Sequence, residues 1–280
     1  MTTEAAAEGA TVRQFVAVQR LELRKRFLGK RAIPVYLLVL VPLLIFGSRA
    51  LVMLVFRGNW TESIAQDRVI YALLFRTLIL RFVVYFGCVA VFVQLFRGDV
   101  LDRAVHYYLL APLDRTTLTI AKYVSGLAAG LLLFNGVVVA TWALLYLARG
   151  PASLLEALAS GRGWLEIGSY VLVTSLACIG YGAVFLAAGV LFRNPIVPAL
   201  AILGWESINA LLPPVLKRIS VIHYLESLCP VSIPQSSGFT ILADPAPPWV
   251  SIPAVLVLAA VLLVLTARKV ARLEIAYGNE

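Results

Sequence analysis

Six long apolar runs follow one another along this chain and constrain its fold more than any other feature. A helix of roughly 20 residues crosses the hydrocarbon of a bilayer, and a helix satisfies its own backbone hydrogen bonds, which lipid cannot do. Each run therefore predicts a transmembrane helix. The fifth run is the shortest and contains Glu206. The runs cover residues 33–56, 69–96, 118–147, 167–192, 196–212 and 249–266.

The composition agrees with a chain that lies mostly in lipid. Hydrophobic residues make up 61% of the sequence, and the mean hydropathy is +0.90, more than a soluble domain can bury. The 280 residues leave no room for a large soluble domain beside six crossings. We therefore predict an all-α polytopic membrane protein. The first ten residues predict no cleaved signal peptide, and three cysteines imply no disulfide framework.

Basic residues are distributed unevenly between the two sides of the predicted membrane. Lys and Arg number 24 against 15 Asp and Glu. They concentrate before the first run, between the second and third, and after the sixth. The positive-inside rule then places both termini in the cytoplasm of a plasma (inner) membrane protein. We attribute the excess positive charge to anionic lipid headgroups and predict no nucleic-acid partner.

The segment before the first run has an amphipathic pattern. Apolar side chains, including Phe15 and Phe27, share one helical face, and Arg20 and Arg24 lie on a stripe beside it. This pattern predicts a helix within residues 1–31 that lies on the membrane surface. A simple basic flank that stops translocation is the alternative.

The cytoplasmic link from Arg97 to Lys122 mixes charges with a second apolar stripe. Leu101, Val105 and Leu109 recur at helical spacing, and Pro112 disfavours helix in the residue before it. A short amphipathic helix outside the membrane is expected here. Its apolar stripe suits a groove on another protein, although a solvated connector has the same composition.

The outer segment before the last run is unusually long. It covers residues 213–248 and contains several prolines and an apolar stretch at 219–228. Loops of this length are commonly lids or re-entrant elements. We predict a re-entrant segment with a short helix at 219–228 that caps a pathway from the outer side.

Charges inside the predicted membrane form a fourth feature. An unpaired charge inside an apolar run costs several kcal/mol, and four charges lie within such runs: Arg49, Arg76, Arg81 and Glu206. Two interpretations stay open. The charges form an outer-half polar patch that contacts a substrate, or they form structural pairs and reach the interface.

Motifs for catalysis are missing from the sequence. It contains no GxxxxGK[ST], HExxH or GxSxG pattern. The two histidines, His106 and His223, fall on opposite sides of the predicted membrane and cannot share a metal. We therefore expect no enzyme activity, no metal site and no directly bound cofactor in this chain.

The order of these elements resembles a known family. A basic amphipathic helix, six spans with both ends inside, a cytoplasmic helix carrying YLLAPLDR between spans two and three, and an outer re-entrant stretch are similar to the permease subunit of ATP-binding-cassette exporters of the type-two permease family. The resemblance implies a permease dimer over separate ATPase subunits that bind ATP and Mg²⁺. It also implies a substrate route lined mainly by spans two and five.

The resemblance also assigns roles to the cytoplasmic elements. Residues 98–110 would be the coupling helix that docks on the ATPase, and residues 11–30 the elbow helix at the same interface. The implied coupling residues are Asp99, Leu101, Asp102, Val105, Tyr108 and Leu109. The domains become 1–31, 32–268 with six spans, and a tail at 269–280. A lipid-modifying membrane enzyme or scaffold without a motor subunit is the alternative function.

Overall fold

The computed structural model describes 19, 27, 29, 32–56, 63–101, 115–192, 194–208, 213, 216, 220–231 and 246–271. Every regular element in those ranges is a helix. In chain order they are α1 (Ile33–Phe56), α2 (Ile64–Leu74), a π-helix (Phe75–Val84), α3 (Tyr85–Phe92), α4 (Gln94–Leu101), α5 (Arg115–Leu147), α6 (Pro151–Ala159), α7 (Arg162–Leu191), α8 (Ile196–Ser207), α9 (Val221–Ser227) and α10 (Pro248–Ala271).

Five helical stretches in the described part of the chain are long and apolar enough to cross a membrane. They are Ile33–Val55, Ile64–Gly98, Arg115–Leu147, Arg162–Leu191 and Pro248–Ala271. The second stretch runs through α2, the π-helix, α3 and the start of α4. This confirms an all-α polytopic fold with multiple spans.

The fifth predicted span differs from the other five. Within residues 196–212 the structure describes only one helix, α8, which has 12 residues and therefore rises about 18 Å, well short of the hydrocarbon thickness. Six continuous spanning helices are thus not confirmed. Helix α8 ends at Ser207, directly after Glu206 and before the end of the predicted run.

Helix α7 is the centre of the bundle. It packs against α3, α5 and α10, and small residues along it let these neighbours approach closely, as is common in membrane interiors. A Cβ added at Gly182 would lie 2.6 Å from Phe92 Cζ. Likewise, a Cβ at Gly87 of α3 would lie 2.2 Å from Phe134 Cζ of α5. Both glycines therefore fix the helix spacing by steric fit.

Large apolar side chains cover the outside of this bundle. On α1, Leu37, Leu44 and Leu51 are each about 60% exposed, and α8 and α10 expose similar residues. Water in contact with such a surface would cost about 25 cal/mol per Å². The exposed apolar surface therefore suits a lipid environment and agrees with a membrane-embedded bundle.

Two contacts relate the ends of the helices. Arg115, the first residue of α5, donates from Nη1 to the carbonyl oxygen of Ala271, the last residue of α10, at 3.1 Å. Gln19, in the leading segment, donates from Nε2 to the carbonyl oxygen of Ala121 at 2.8 Å. The start of α5, the end of α10 and Gln19 therefore lie on one side of the bundle.

Candidate functional site

A group of ion pairs joins four helices, α1, α2, α5 and α7, on one side of the bundle. Asp67, in the first turn of α2, is almost fully buried and accepts from Arg49 of α1. It also accepts from Arg149, which follows α5, with Nε 2.6 Å from Oδ2. One buried carboxylate therefore lies between two guanidinium groups that come from different helices.

A second ion pair completes this group. Arg68 Nε donates to both carboxylate oxygens of Glu166 on α7, at 3.0 and 3.1 Å. The Tyr146 hydroxyl of α5 donates to Oε2 of the same carboxylate at 3.1 Å. We call these residues the ionic layer, which comprises Arg49, Asp67, Arg68, Tyr146, Arg149 and Glu166.

The ionic layer accounts for the environment of one residue predicted to contact a substrate. Arg49 lies in the layer, in the last third of α1, and its guanidinium contacts Asp67. This geometry agrees with the structural alternative for Arg49. It also shows that Asp67 and Glu166, which the sequence did not single out, provide the carboxylates of the layer.

The middle of the second span is a ten-residue π-helix that contains Arg76 and Arg81. In a π-helix the amide bonds five residues back, so the turn widens and residues five apart come to nearly the same face. In an α-helix they would point in different directions. The Thr77 hydroxyl donates to the Leu73 carbonyl oxygen at 2.8 Å, which weakens regular α-helical bonding at this place.

Both arginines of the π-helix contact the segment that contains α9. Arg81 Nη2 lies 2.8 Å from Glu226 Oε1. Arg76 Nη2 donates to the Val231 carbonyl oxygen at 3.0 Å. The wider turn thus lets two cations five residues apart hold one inserted segment. π-Helical turns of this kind occur frequently at functional sites.

Glu206 lies where α8 ends and α9 begins. Its carboxylate is 6% exposed and accepts from the Tyr181 hydroxyl of α7, with 2.7 Å between Oη and Oε2. It also interacts with the backbone amide of Ile222, in the first turn of α9. A negative charge there is favourable for the helix dipole of α9. At ion-pair distance Arg81 contacts Glu226, whereas the direct hydrogen-bond partners of Glu206 are Tyr181 and Ile222.

These residues form one polar region inside the bundle, which we call the π-helix site: Arg76, Arg81, Tyr181, Glu206, Glu226 and Cys229. Burial raises the pKa of the Cys229 thiol to about 11, although the neighbouring guanidinium of Arg76 acts in the opposite direction. The thiol is therefore neutral near pH 7. The described residues contain no group of His, Cys, Asp and Glu that could hold a metal ion.

Comparison with protein-family models, curated proteins and solved structures finds no match for this chain. The function must therefore be argued from the geometry and the sequence.

The predicted coupling and elbow residues lie largely outside the described residues. Asp99 and Leu101 lie in α4, which the structure describes only as backbone at those positions, and Asp102, Val105, Tyr108 and Leu109 fall in the undescribed range. Phe15, Arg20 and Arg24 also lie outside the described residues. The carbonyl oxygen of Phe27 accepts from the Tyr36 hydroxyl at 3.0 Å, which places Phe27 beside α1.

We expect Arg81 to be energetically coupled to Glu226 and only weakly to Glu206. Arg81→Gln and Glu226→Gln should each lower stability by about 0.5–1 kcal/mol, because the pair is about one-third exposed. The double variant should lose little more than either single variant. Melting temperatures of the purified variants measure this, with Arg81→Gln/Glu206→Gln as the comparison cycle. A larger coupling in the second cycle would contradict the described pairing.

Proposed function

We propose that this chain is the permease subunit of an ATP-driven exporter, which forms a substrate pathway as a dimer and couples to separate ATPase subunits. The observation that carries the proposal is the interrupted region between α7 and α10, which lies beside a charged π-helix. A crossing there, lined by these buried polar side chains, would provide the route that a transporter requires and a purely structural bundle does not.

The positions of the helix ends support six crossings. The ionic layer joins the end of α1, the start of α2, the end of α5 and the start of α7, while Arg115 contacts Ala271. The end of α7 and the start of α10 then lie on opposite sides. The chain between them must cross an odd number of times. One crossing there gives six in total, with residues 33 and 271 on the same side.

The π-helix site is the proposed pathway element of each subunit. Arg81 lies on the second span and Glu206 on the proposed fifth crossing, the two elements that the family resemblance assigns to the route. Transport proteins commonly use discontinuous helices for this purpose, because a helix interruption exposes backbone groups and charges inside the membrane. A passing substrate could replace the Arg81–Glu226 and Tyr181–Glu206 contacts one at a time.

The energy source is proposed to be a partner protein. The chain carries no phosphate-loop motif, so a separate ATPase would bind ATP and Mg²⁺. The proposed docking element is residues 98–110. Helix α4 continues the second span to Leu101, and the apolar stripe predicted beyond it would fill a groove on the ATPase.

Affinity purification in a mild detergent tests the proposal. A tag at the C-terminus is expected to retain a second protein that hydrolyses ATP, with hydrolysis lost when its phosphate-loop lysine is replaced. A matched purification of an unrelated polytopic protein is the control. Purification of this chain without any ATPase, together with turnover of a lipid, would favour the lipid-modifying alternative.

The proposed topology predicts a specific labelling pattern. A single cysteine near Arg20 should be protected from a membrane-impermeant thiol reagent added to intact cells, whereas cysteines near Asn59 and Gln235 should react. Replacing the three native cysteines first removes background, and permeabilised cells provide the control for reactivity at Arg20. Reaction at Arg20 with protection at the other two positions would reverse the orientation.

A further inference from the structure

Arg76 differs from the other arginines in the bundle interior. No carboxylate lies within ion-pair distance of it among the residues that the structure describes, although it is half-buried within a spanning helix. Four other arginines each contact an acid: Arg49 and Arg149 contact Asp67, Arg68 contacts Glu166, and Arg81 contacts Glu226. A cation in lipid without a counter-charge is unfavourable.

Two buried hydrogen-bond donors in the region of Arg76 lack an acceptor among the described residues. Arg76 Nη2 donates to the Val231 carbonyl oxygen at 3.0 Å, but its Nε is buried and has no hydrogen-bond partner in the described part of the chain. The hydroxyl of Tyr170, which is fully buried, likewise has none. The neutral Cys229 thiol interacts with both Arg76 and Tyr170. The region therefore offers hydrogen-bond donors and a positive charge, and needs an acceptor.

The depth and access of Arg76 indicate what kind of molecule can supply that acceptor. Its neighbour Phe75 packs on Tyr170, with ring centroids 4.6 Å apart. Tyr170 lies one helical turn, or about 6 Å, from Glu166 of the ionic layer. Leu73 and Phe82 of the same span are about half exposed. The span that carries Arg76 thus has exposed apolar side chains below the ionic layer, an arrangement that suits an amphiphile.

We propose that Arg76 binds the phosphate of a membrane amphiphile, with Tyr170 as a second donor. A planar guanidinium matches the oxygen geometry of phosphate, and the acyl chains would lie on the exposed apolar flank. This binding needs only the subunit itself. It therefore goes beyond the exporter proposal and is tested without an ATPase.

The test measures binding of a fluorescent short-chain phosphatidic acid to the purified protein in neutral detergent. The matched neutral probe is the corresponding diacylglycerol. Wild type is expected to bind phosphatidic acid at least tenfold more tightly than the neutral probe, as a charge-assisted hydrogen bond would give. Arg76→Gln should abolish the preference, Arg76→Lys should retain part of it, and Tyr170→Phe should weaken it about threefold.

Three results would overturn the proposal. The first is equal phosphatidic acid preference in wild type and Arg76→Gln. The second is an equal loss in Arg162→Gln, which removes an exposed arginine from the first turn of α7. The third is displacement of the probe by inorganic phosphate at the same concentration, which would mean that a free anion suffices. If Arg76→Gln does not fold, Arg76→Lys and Tyr170→Phe decide the question by the same preference ratio.

Discussion

Replacing Asp67 with asparagine is expected to destabilise the purified protein by roughly 3 kcal/mol, since breaking a buried ion pair from one side is far more costly than losing a surface pair. Asparagine keeps the size of the side chain but removes the charge that lies between Arg49 and Arg149. The two guanidinium groups would then repel each other in a buried setting.

The effect should be large because the ionic layer holds helix α1. Most of α1 faces outward, and its exposed leucines contribute little to packing within the subunit. The Phe46 ring of α1 packs on Tyr71, with 5.3 Å between ring centroids. The contact of Arg49 with Asp67 adds a polar connection between α1 and the rest of the described bundle. Loss of Asp67 should therefore loosen α1 first.

Melting temperature in detergent measures the effect of Asp67→Asn. The matched control is Glu156→Gln, which makes the same chemical change at an exposed position of α6 and should alter stability by less than about 0.5 kcal/mol. Proteolysis at the C-terminal end of α1 gives a second readout. Equal melting temperatures for the two variants would show that the layer contributes no stability.

The double variant Leu101→Asp/Val105→Asp is expected to lower substrate-stimulated ATP hydrolysis of the assembled complex at least tenfold. The proposed docking helix would then carry two carboxylates into an apolar groove, and a loss of about 1.4 kcal/mol of docking energy already weakens binding tenfold. Membrane insertion should be unchanged, because both residues lie outside the spans.

The matched control for this variant is Leu155→Asp, which introduces the same side chain at an exposed position of α6, near the ionic layer. It should leave hydrolysis and copurification unchanged. Normal coupling in Leu101→Asp/Val105→Asp would remove residues 98–110 from the proposed interface.

The spanning helices could largely be predicted from the sequence because long apolar runs have few alternatives in lipid. Their ends could not. The second span begins at Ile64 instead of residue 69, since Asp67 and Arg68 continue the helix. Their charges are neutralised by partners from other helices, and hydropathy alone treats such residues as a boundary.

The polar contacts were harder to predict than the helices. Arg68 and Glu166 are 98 residues apart, and Arg81 and Glu226 are 145 apart, so no local pattern links them. One signal was present: Asp67 and Glu166 lie close to the outer ends of predicted spans, where Arg49 and Arg149 also lie. The π-helix has no hydropathy signature of its own. Its sequence is mostly apolar, like that of the α-helix that follows it, so hydropathy does not distinguish the two kinds of helix.

The fifth predicted span likewise depends on contacts that are distant in sequence. Its apolar residues predict a helix, and α8 forms over residues 196–207, but Glu206 has a hydrogen-bonding role at the start of α9. That role depends on Tyr181 of α7 and Ile222 of α9. A hydropathy window over residues 196–212 includes neither of these partners. The predicted short helix at 219–228 is found as Val221–Ser227.

A photo-crosslinking amino acid at position 105 tests the central proposal most directly. After illumination of intact membranes, mass spectrometry of the purified adduct should identify a phosphate-loop ATPase crosslinked to this chain. The same amino acid at position 155, near the ionic layer, should give no such adduct. Crosslinks from position 105 only to lipid or to other copies of this chain would contradict the account of this protein as an ATPase-coupled permease.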